Sequence, residues 1–320
     1  MTTNADQELR RVRVAAVHDV AVDVRTYELV SADGRPLPDW TSGSHIDVHV
    51  PAGLVRQYSL CSDPAIRNRY RIAVKKEPGG RGGSLSMHED VETGSVLAIG
   101  LPRNYFPLAS DLAPSLLIAG GIGITPIYAM ARSLAADGRR SWTLHYCARS
   151  AAHAALRNEL QRLAPQSVVQ HFSEAPVLDV ASLLGAQAPD VHVYCCGPVG
   201  LMAAVKEATA NRDPERVHFE WFAAPPVDHS HDQAFEIELA RSGIVKNVPA
   251  DRTILQVVRE CGIDAPSSCE AGVCGTCETV LLAGDADHRD LLLTPDERAQ
   301  NRSIMICVSR ARSKRLVLDL

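Results

Sequence analysis

The sequence predicts three domains: an N-terminal antiparallel β-barrel, a doubly wound α/β domain and a C-terminal α+β domain of the β-grasp type. Three observations predict this order. Short alternating apolar and polar runs recur in the first third, strands and helices alternate in the middle, and a strand-flanked helix precedes a cysteine-rich loop near the end. The predicted boundaries are 1–112 for the barrel, 113–223 for the α/β domain, 224–232 for a linker and 233–320 for the β-grasp domain.

Length and composition bound the class of protein. The chain has 320 residues, is 46% hydrophobic and 22% charged, and carries a net charge of −5, which is ordinary for a soluble globular protein of two or three domains. It has no strongly basic stretch for nucleic acid, no apolar run long enough for a membrane, and no signal pattern at its start. We therefore expect a cytoplasmic monomer without a nucleic-acid or membrane partner.

The barrel is predicted from four alternating runs separated by turn residues, at 12–17, 27–30, 46–50 and 70–74. A glycine-rich loop, 79–86, opens a short helix at 84–91. Its backbone amides and the Ser84 hydroxyl could cradle a phosphate, which Arg56 on an upstream strand could share. A flexible hairpin tip is an equally good interpretation of the same loop.

The α/β domain is predicted from a buried strand at 115–119 that ends in the glycine-rich segment Gly120 to Pro126 and then a helix, 127–137. Glycines at such a junction let the backbone approach a pyrophosphate. A second glycine turn, 196–198, follows a later strand. Two such turns at the carboxyl edge of one sheet form a crevice, although the glycines could also serve only tight strand–helix packing. A further helix is predicted at 151–163.

The β-grasp domain follows a proline-rich linker. Residues 235–239 alternate like a half-buried strand, and 251–262 reads as a helix with Thr253 as its cap and Gly262 as its stop.

Four cysteines carry the most specific signal in the chain. Cys269, Cys274 and Cys277 have the spacing C-x4-C-x2-C, and Cys307 follows at a distance, as in plant-type [2Fe–2S] loops. Small residues between them let the loop bend tightly and let amide groups point at sulfur. Zinc or a set of core cysteines is the alternative, but zinc sites usually add a second Cys or His pair, and none lies near. His288, after this loop, is predicted to be a turn or interface residue.

Together these motifs resemble the phthalate dioxygenase reductase family, which includes the reductase components of vanillate O-demethylase-type systems. The resemblance runs from residue 56 to the C-terminus, with the ferredoxin domain last. It rests on seven segments, at 56–63, 80–86, 101–108, 119–126, 193–198, 218–222 and 267–277.

The resemblance implies three cofactors: FMN, NADH and a [2Fe–2S] cluster. The FMN residues it implies are Arg56, Gln57, Tyr58, Ser59, Ile72, Ala73, Val74, Gly82, Gly83 and Ser84. The NADH residues it implies are Gly120, Gly121, Gly123, Thr125, Arg149, Ser150, Cys196, Gly197 and Pro198. Hydride transfer would occur among Ser59, Thr125, Cys196 and Phe222, with Phe222 against the flavin and Glu220 nearby.

One position departs from the family pattern. Arg149 and Ser150 stand where an acidic residue would accept the adenosine ribose hydroxyls and repel a 2′-phosphate. This pair could tolerate NADPH, although the resemblance favours NADH.

The implied function is an NADH-dependent oxidoreductase that passes single electrons to a terminal Rieske-type oxygenase. NADH gives two electrons as a hydride and a cluster takes one, so a flavin stands between them, and no catalytic acid or base is required. One alternative is a reductase for a cytochrome P450. Another is an iron–sulfur binding or sensor protein whose glycine loops are only structural.

Overall fold

The computed structural model describes residues 9–173, 178–225 and 227–320. Residues 1–8 of the predicted barrel, 174–177 of the predicted α/β domain and Pro226 of the predicted linker lie outside them. None of the helices in these ranges combines the length and the hydrophobicity needed to span a lipid bilayer.

The first sheet has six antiparallel strands in the order β4-β3-β6-β1-β2-β5. They are β1 (Arg10–Ala21), β2 (Val24–Ser31), β3 (His45–His49), β4 (Val55–Ser59), β5 (Arg69–Lys75) and β6 (Val96–Ile99). A bridge between Leu60, just after β4, and Ile72 of β5 joins the two edge strands. The sheet therefore curls on itself, which confirms the predicted barrel. Helix α1 (Gly83–Asp90) follows the glycine-rich loop.

The second sheet has five parallel strands in the order β11-β10-β7-β8-β9, as predicted for a doubly wound domain. The strands are β7 (Ser115–Gly120), β8 (Trp142–Ala148), β9 (Val168–Phe172), β10 (His192–Cys196) and β11 (Val217–Glu220). The helices are α2 (Ile124–Asp137), α3 (Arg157–Leu163), α4 (Val180–Gly185) and α5 (Val199–Ala208). All six residues of β7 are buried, as expected for a central parallel strand.

The two helices predicted in this domain have different bounds. Helix α2 begins at Ile124, three residues early, because a 3₁₀ turn at Gly121–Gly123 leads directly into it. The helix predicted over 151–163 is broken: a 3₁₀ turn spans Ala151–His153, and Leu156 has a φ of +58°, a left-handed conformation that regular helix excludes. Leu156 is buried, so its packing in the core stabilises this break.

The barrel and the parallel sheet share one hydrophobic core. Val24, Cys61 and Ala73 of the barrel pack in the same cluster as Leu117 and Tyr146 of the parallel sheet. Hydrogen bonds to the Glu159 carboxylate lie at the same boundary. The Arg71 guanidinium donates two of them, at 3.1 and 3.0 Å, and the Tyr128 hydroxyl donates a third at 2.7 Å. These contacts put residues 1–222 into one compact unit.

The second compact unit, residues 223–320, contains the third sheet, with the order β13-β12-β18-β14-β16. Its strands are β12 (Phe235–Leu239), β13 (Ile244–Val248), β14 (Glu278–Ala283), β16 (Ser303–Met305) and β18 (Arg315–Leu318), while β15 (Ala286–Asp287) and β17 (Arg310–Ala311) form a separate pair. Helix α6 (Ile254–Glu260) is shorter than the predicted 251–262, and Thr253 caps it in a capping box with Gln256. Thr294 caps α7 (Pro295–Gln300) in the same way. One helix packed on a mixed sheet agrees with the predicted β-grasp fold.

The end of the predicted linker is fixed to this unit. The Asp232 side chain is only 3% exposed, and Arg289 binds its two oxygens at 2.6 and 3.1 Å. Arg310 lies 3.5 Å from the same carboxylate. The sequence did not indicate this contact, because its partners lie 57 and more residues away.

Candidate redox site

The N-terminus of α1 is open to an anion. No hydrogen bond from a side chain of the described residues caps it, and Gly82 before it has a φ of +83°. Arg56 lies directly over this turn, because a Cβ on Gly83 would stand 2.6 Å from Arg56 Cγ. Ser84 Oγ accepts the Glu77 N–H at 3.1 Å and can still donate its own proton. The structure therefore brings Arg56 and Ser84 to the same helix start, where amides favour a phosphate.

The strands beside this turn supply the other residues implied for FMN. Ser59 at the end of β4 is buried, Tyr58 before it is half-buried, and Ile72, Ala73 and Val74 of β5 are all buried. The Gln57 amide donates to the buried Asp47 carboxylate, which also pairs with Arg103 at 2.9 Å. The Gln57 side chain is thus engaged within the barrel.

The two glycine turns of the parallel sheet touch each other. A Cβ on Gly123 would stand 2.3 Å from the Cys196 carbonyl oxygen, and one on Gly120 would stand 2.6 Å from Pro198 Cδ. Gly121 differs: it has a φ of +53°, and nothing lies within 4 Å of its Cβ position. Tight packing therefore explains Gly120 and Gly123, while Gly121 leaves open space at the strand end, where a dinucleotide would lie.

Ser59, Cys196 and Glu220 converge where the barrel meets the parallel sheet. Ser59 Oγ donates to Glu220 Oε2 at 3.3 Å, and Glu220 at the end of β11 stands in register beside Cys196 of β10. Thr125, two residues after Gly123, is buried, and its hydroxyl donates to the Ile122 carbonyl at 3.0 Å. Phe222, two residues past Glu220, is 44% exposed and therefore accessible to a planar group.

Burial dominates the electrostatics of this convergence. The Glu220 side chain is 12% exposed, and desolvation raises its pKa to about 8, against a smaller opposing effect of the Ser59 hydrogen bond. Burial, and secondarily the Glu220 charge, raises the pKa of the Cys196 thiol well above its usual value. His45, whose Nδ1 lies 4.0 Å from Glu220 Oε1, has its pKa lowered to about 4 by burial. At neutral pH this site therefore holds a proton on Glu220 and neutral groups around it.

Sequence reasoning named Glu220 only as a neighbour and did not single out His45. The signal for Glu220 was its place at the end of a parallel strand, where ligands of such sheets bind. His45 had no comparable signal, because its contact with Glu220 depends on packing between distant segments.

Arg149 and Ser150 lie at the carboxyl end of β8, at the same edge as the glycine turns. The Arg149 side chain is exposed, and it forms no ion pair with the residues that the structure describes. Ser150 Oγ is 2.8 Å from His153 Nδ1. A cationic and a hydroxyl side chain therefore face solvent where an acidic residue was expected.

The four predicted ligand cysteines form one group. Hydrogen bonds from the Cys274 and Cys307 thiols lower the pKa of Cys269, and a hydrogen bond from Cys307 lowers the pKa of Cys277. Among the described residues, no three or more His, Cys, Asp or Glu side chains, these cysteines included, are placed so that they could hold a single metal ion. A [2Fe–2S] cluster, in which each iron takes two thiolates, suits four thiols placed in this way.

The loop geometry explains the small residues between these cysteines. Glu270, Gly272 and Gly275 all have positive φ, of 51°, 69° and 72°, so the chain turns back sharply. The Ala271 N–H donates to Cys269 Sγ at 3.4 Å, as predicted for amides that stabilise a thiolate. A Cβ on Gly272 would stand 2.7 Å from Val308 Cγ2 and 3.1 Å from Asp290 Cα, so only glycine fits there.

Comparison with family models assigns both of these regions. Residues 117–207 match the oxidoreductase NAD-binding domain, and residues 237–312 match the 2Fe-2S iron-sulfur cluster binding domain. The second match contains all four cysteines, so the C-terminal unit is a [2Fe–2S] domain.

Whole-chain comparisons extend the likeness to complete proteins. Phthalate dioxygenase reductase from Burkholderia cepacia is 43% identical over 324 residues, which cover 100% of each chain. A solved phthalate dioxygenase reductase structure is 42% identical, covers 100% of both chains and has a TM-score of 0.74. An intact type IV self-sufficient cytochrome P450 monooxygenase has a TM-score of 0.90 at 40% identity, covering 98% of this chain and 41% of that one.

Proposed function

The chain belongs to the phthalate dioxygenase reductase family, and from this premise we propose that it oxidises NADH with FMN and delivers single electrons through its cluster to a Rieske-type oxygenase. As a member of that family it is an oxidoreductase and the reductase subunit of an oxygenase system. The interpretation as an iron–sulfur sensor protein is therefore set aside.

The observation that carries the proposal is the meeting of Ser59, Cys196 and Glu220. Ser59 comes from the barrel, while Cys196 and Glu220 end adjacent strands of the nicotinamide domain. Two cofactors that exchange a hydride must be brought together, and this is the place in the described residues where both predicted sites supply buried polar groups. Fixed geometry of this kind supplies much of the rate of a hydride transfer.

FMN fits the barrel through Arg56, Ser84 and the amides at the start of α1, which would hold its phosphate. When bound, the flavin takes two electrons as a hydride and releases them singly. The cluster would be held by Cys269, Cys274, Cys277 and Cys307 and would carry one electron at a time.

The chain's own residues orient the reactants and control protons. Glu220 accepts the Ser59 hydroxyl and so fixes its direction. With its pKa raised by burial, the carboxyl holds a proton near neutral pH and adds no negative charge to the crevice. The Cys196 thiol, whose pKa burial also raises, stays neutral and would lie beside the nicotinamide without acting as a nucleophile. We therefore propose that Glu220 holds a proton in this site, for which the sequence alone predicts no acid or base.

We propose NADH as the physiological donor. Arg149 and Ser150 favour tolerance of NADPH, since a cation and a hydroxyl can bind a phosphate where a carboxylate would repel it. The ratio of kcat/KM for the two nucleotides measures this preference, and a ratio in favour of NADPH would contradict it.

A cytochrome P450 is the second candidate partner, and one observation favours it. The P450 monooxygenase structure contains a segment that matches 98% of this chain, so a reductase of this fold occurs fused to a P450. The full-length family members favour an oxygenase as a separate component instead.

An anaerobic titration tests the proposal. Purified protein should contain about one FMN and two irons per chain, and NADH should bleach both the flavin and the cluster absorbance. Addition of a Rieske-type oxygenase or a P450 then shows which partner reoxidises the cluster faster. A preparation with no flavin, or a cluster that NADH leaves oxidised, would refute the proposal.

A further inference from the structure

Two buried side chains beside the cluster loop have no role in the function proposed above. The His288 side chain is 5% exposed and the Asp290 side chain is 0% exposed. His288 was predicted to be a turn or interface residue, but its ring is directed into the unit. His288 Nδ1 and Asp290 Oδ1 both lack a hydrogen-bond partner among the described residues, and they lie 3.9 Å apart.

The hydrogen-bond network assigns the proton on the His288 ring. Asn301 Nδ2 donates to the Gly284 carbonyl at 2.8 Å, so its Oδ1 is an acceptor. That oxygen lies 3.3 Å from His288 Nε2, which must therefore carry the hydrogen. The other nitrogen, Nδ1, is buried and has no partner among the described residues.

The Asp290 carboxylate supplies the second buried atom without a partner, Oδ1. Its Oδ2 accepts the N–H groups of Leu292 at 3.1 Å and Leu293 at 2.8 Å, and Arg298 lies 3.7 Å away. These donors stabilise negative charge on the carboxylate, while Oδ1 lies 3.9 Å from His288 Nδ1. Two buried polar atoms without a hydrogen-bond partner among the described residues are a costly arrangement. A proton on His288 Nδ1 would place a positive charge beside the carboxylate.

The pair lies one backbone layer from the cluster loop. The Leu291 N–H donates to the Gly272 carbonyl at 2.9 Å, and the Cβ position of Gly272 is 3.1 Å from Asp290 Cα. Gly272 stands between Cys269 and Cys274. Both of these contacts are made to Gly272.

We propose that His288 and Asp290 form a proton site that is coupled to reduction of the cluster. As one electron enters the cluster, His288 Nδ1 takes one proton from water, and the ring becomes positively charged 3.9 Å from Asp290 Oδ1. Loss of the electron returns the proton to water, so charge and atoms balance. The added positive charge offsets the added negative charge of the cluster in surroundings of low dielectric. By linkage, a proton that favours the reduced cluster must also bind more tightly to the reduced protein.

The charged groups that surround His288 and Asp290 in the described residues have other partners, so this pair is where a proton can be added. Arg298 of α7 is the charged group that faces Asp290. The other charged groups of the neighbouring segments are engaged elsewhere: Arg289 with Asp287 and Asp232, Arg310 with Asp232, Glu270 with Arg259, and Glu297 with Thr294.

The reduction potential of the cluster in the full-length protein tests the proposal. We would follow the electron paramagnetic resonance signal of the reduced cluster during redox titrations from about pH 5 to about pH 8, the range in which the charge of histidine ordinarily changes. We expect the potential to fall as the pH rises, with a slope that approaches a tenfold change in electron affinity per pH unit, or about 59 mV. His288→Gln keeps a donor to Asn301 but has no basic nitrogen, so its potential should not vary with pH.

Asp290→Asn provides an independent variant. Its amide can keep an oxygen on the Leu292 and Leu293 N–H groups but lacks the negative charge that favours a proton on His288, so this potential should also be constant with pH. His229→Gln, at a histidine that is 67% exposed in the same unit, is the matched control and should keep the wild-type slope.

A constant potential in the wild type, or a slope that persists in His288→Gln, would overturn the proposal. The inference depends on the proposed cluster, and the two failures are distinguishable. Protein that lacks the visible absorbance of a cluster contradicts the proposed function, whereas protein with a cluster of pH-independent potential contradicts only this coupling.

Discussion

Glu220 shows how one residue can combine a stability cost with a functional role. Its pKa is raised from an ordinary carboxyl value of 4.5 to about 8, so the folded protein holds the proton more tightly than the unfolded chain. The resulting stability is fully present below about pH 4.5 and is lost as the pH rises through about 8. We expect the free energy of unfolding of the first unit to fall over this range by up to about 5 kcal/mol.

Glu220→Gln should remove that slope, because glutamine has a similar shape and no proton to lose. Chemical denaturation at a series of pH values measures it. Ser59→Ala is the control with a defined direction: it removes the hydrogen bond that lowers the Glu220 pKa, so the loss of stability should move to higher pH. An unchanged slope in Glu220→Gln would show that another group is responsible.

Cys307 is predicted to be essential for the cluster and dispensable for hydride transfer. Cys307→Ser should abolish the cluster absorbance and electron delivery to the oxygenase, while NADH still reduces the flavin at a rate within about twofold of wild type, since the residues proposed for hydride transfer belong to the other unit. Cys261→Ser is the matched control, because Cys261 is a half-buried cysteine of the same unit outside the group of four. Loss of the cluster in both variants would contradict this assignment.

At the scale of elements, the two glycine turns act as one structure. Gly123→Ala would place a Cβ 2.3 Å from the Cys196 carbonyl oxygen, which must push the turns apart. We expect a loss of about 2–3 kcal/mol of stability and at least a tenfold increase in KM for NADH, from overpacking at a functional turn. Thermal denaturation and steady-state kinetics measure the two effects.

Gly200→Ala is the control for that substitution. Gly200 lies in α5 with nothing within 4 Å of its Cβ position, so alanine should stabilise the protein by about 0.5 kcal/mol and leave KM unchanged. Equal effects of the two substitutions would show that the glycines serve no close approach.

Local signals predicted most elements and failed where packing decides. Thr253 caps α6 and α2 ends at Asp137, both as predicted, since the capping box at Thr253 and the left-handed Gly138 after α2 each act within one turn. The break at Leu156 was not predicted, because its sequence is compatible with helix and only the core position of the side chain favours the turn. The contact of Ser59 with Glu220 joins residues 161 apart and has no local signature.

At the scale of the whole molecule, the chain consists of two compact units, 1–222 and 223–320. A protein truncated after Phe222 should therefore fold, bind flavin and oxidise NADH with ferricyanide as acceptor, but should reduce no oxygenase. Circular dichroism, flavin content and the two activities check this expectation. Truncated protein that is insoluble or free of flavin would indicate that the first unit needs the second.

The shared core of the barrel and the parallel sheet has a consequence for how the protein melts. Because side chains such as Cys61 and Tyr146 belong to one cluster, and Arg71 grips Glu159 across the boundary, neither sheet can unfold without exposing the apolar surface of the other. A calorimetric scan should thus show the flavin and nicotinamide halves losing their structure in a single cooperative transition. Any substitution that destabilises the barrel would then weaken nucleotide binding as well, even at a distance from the nucleotide.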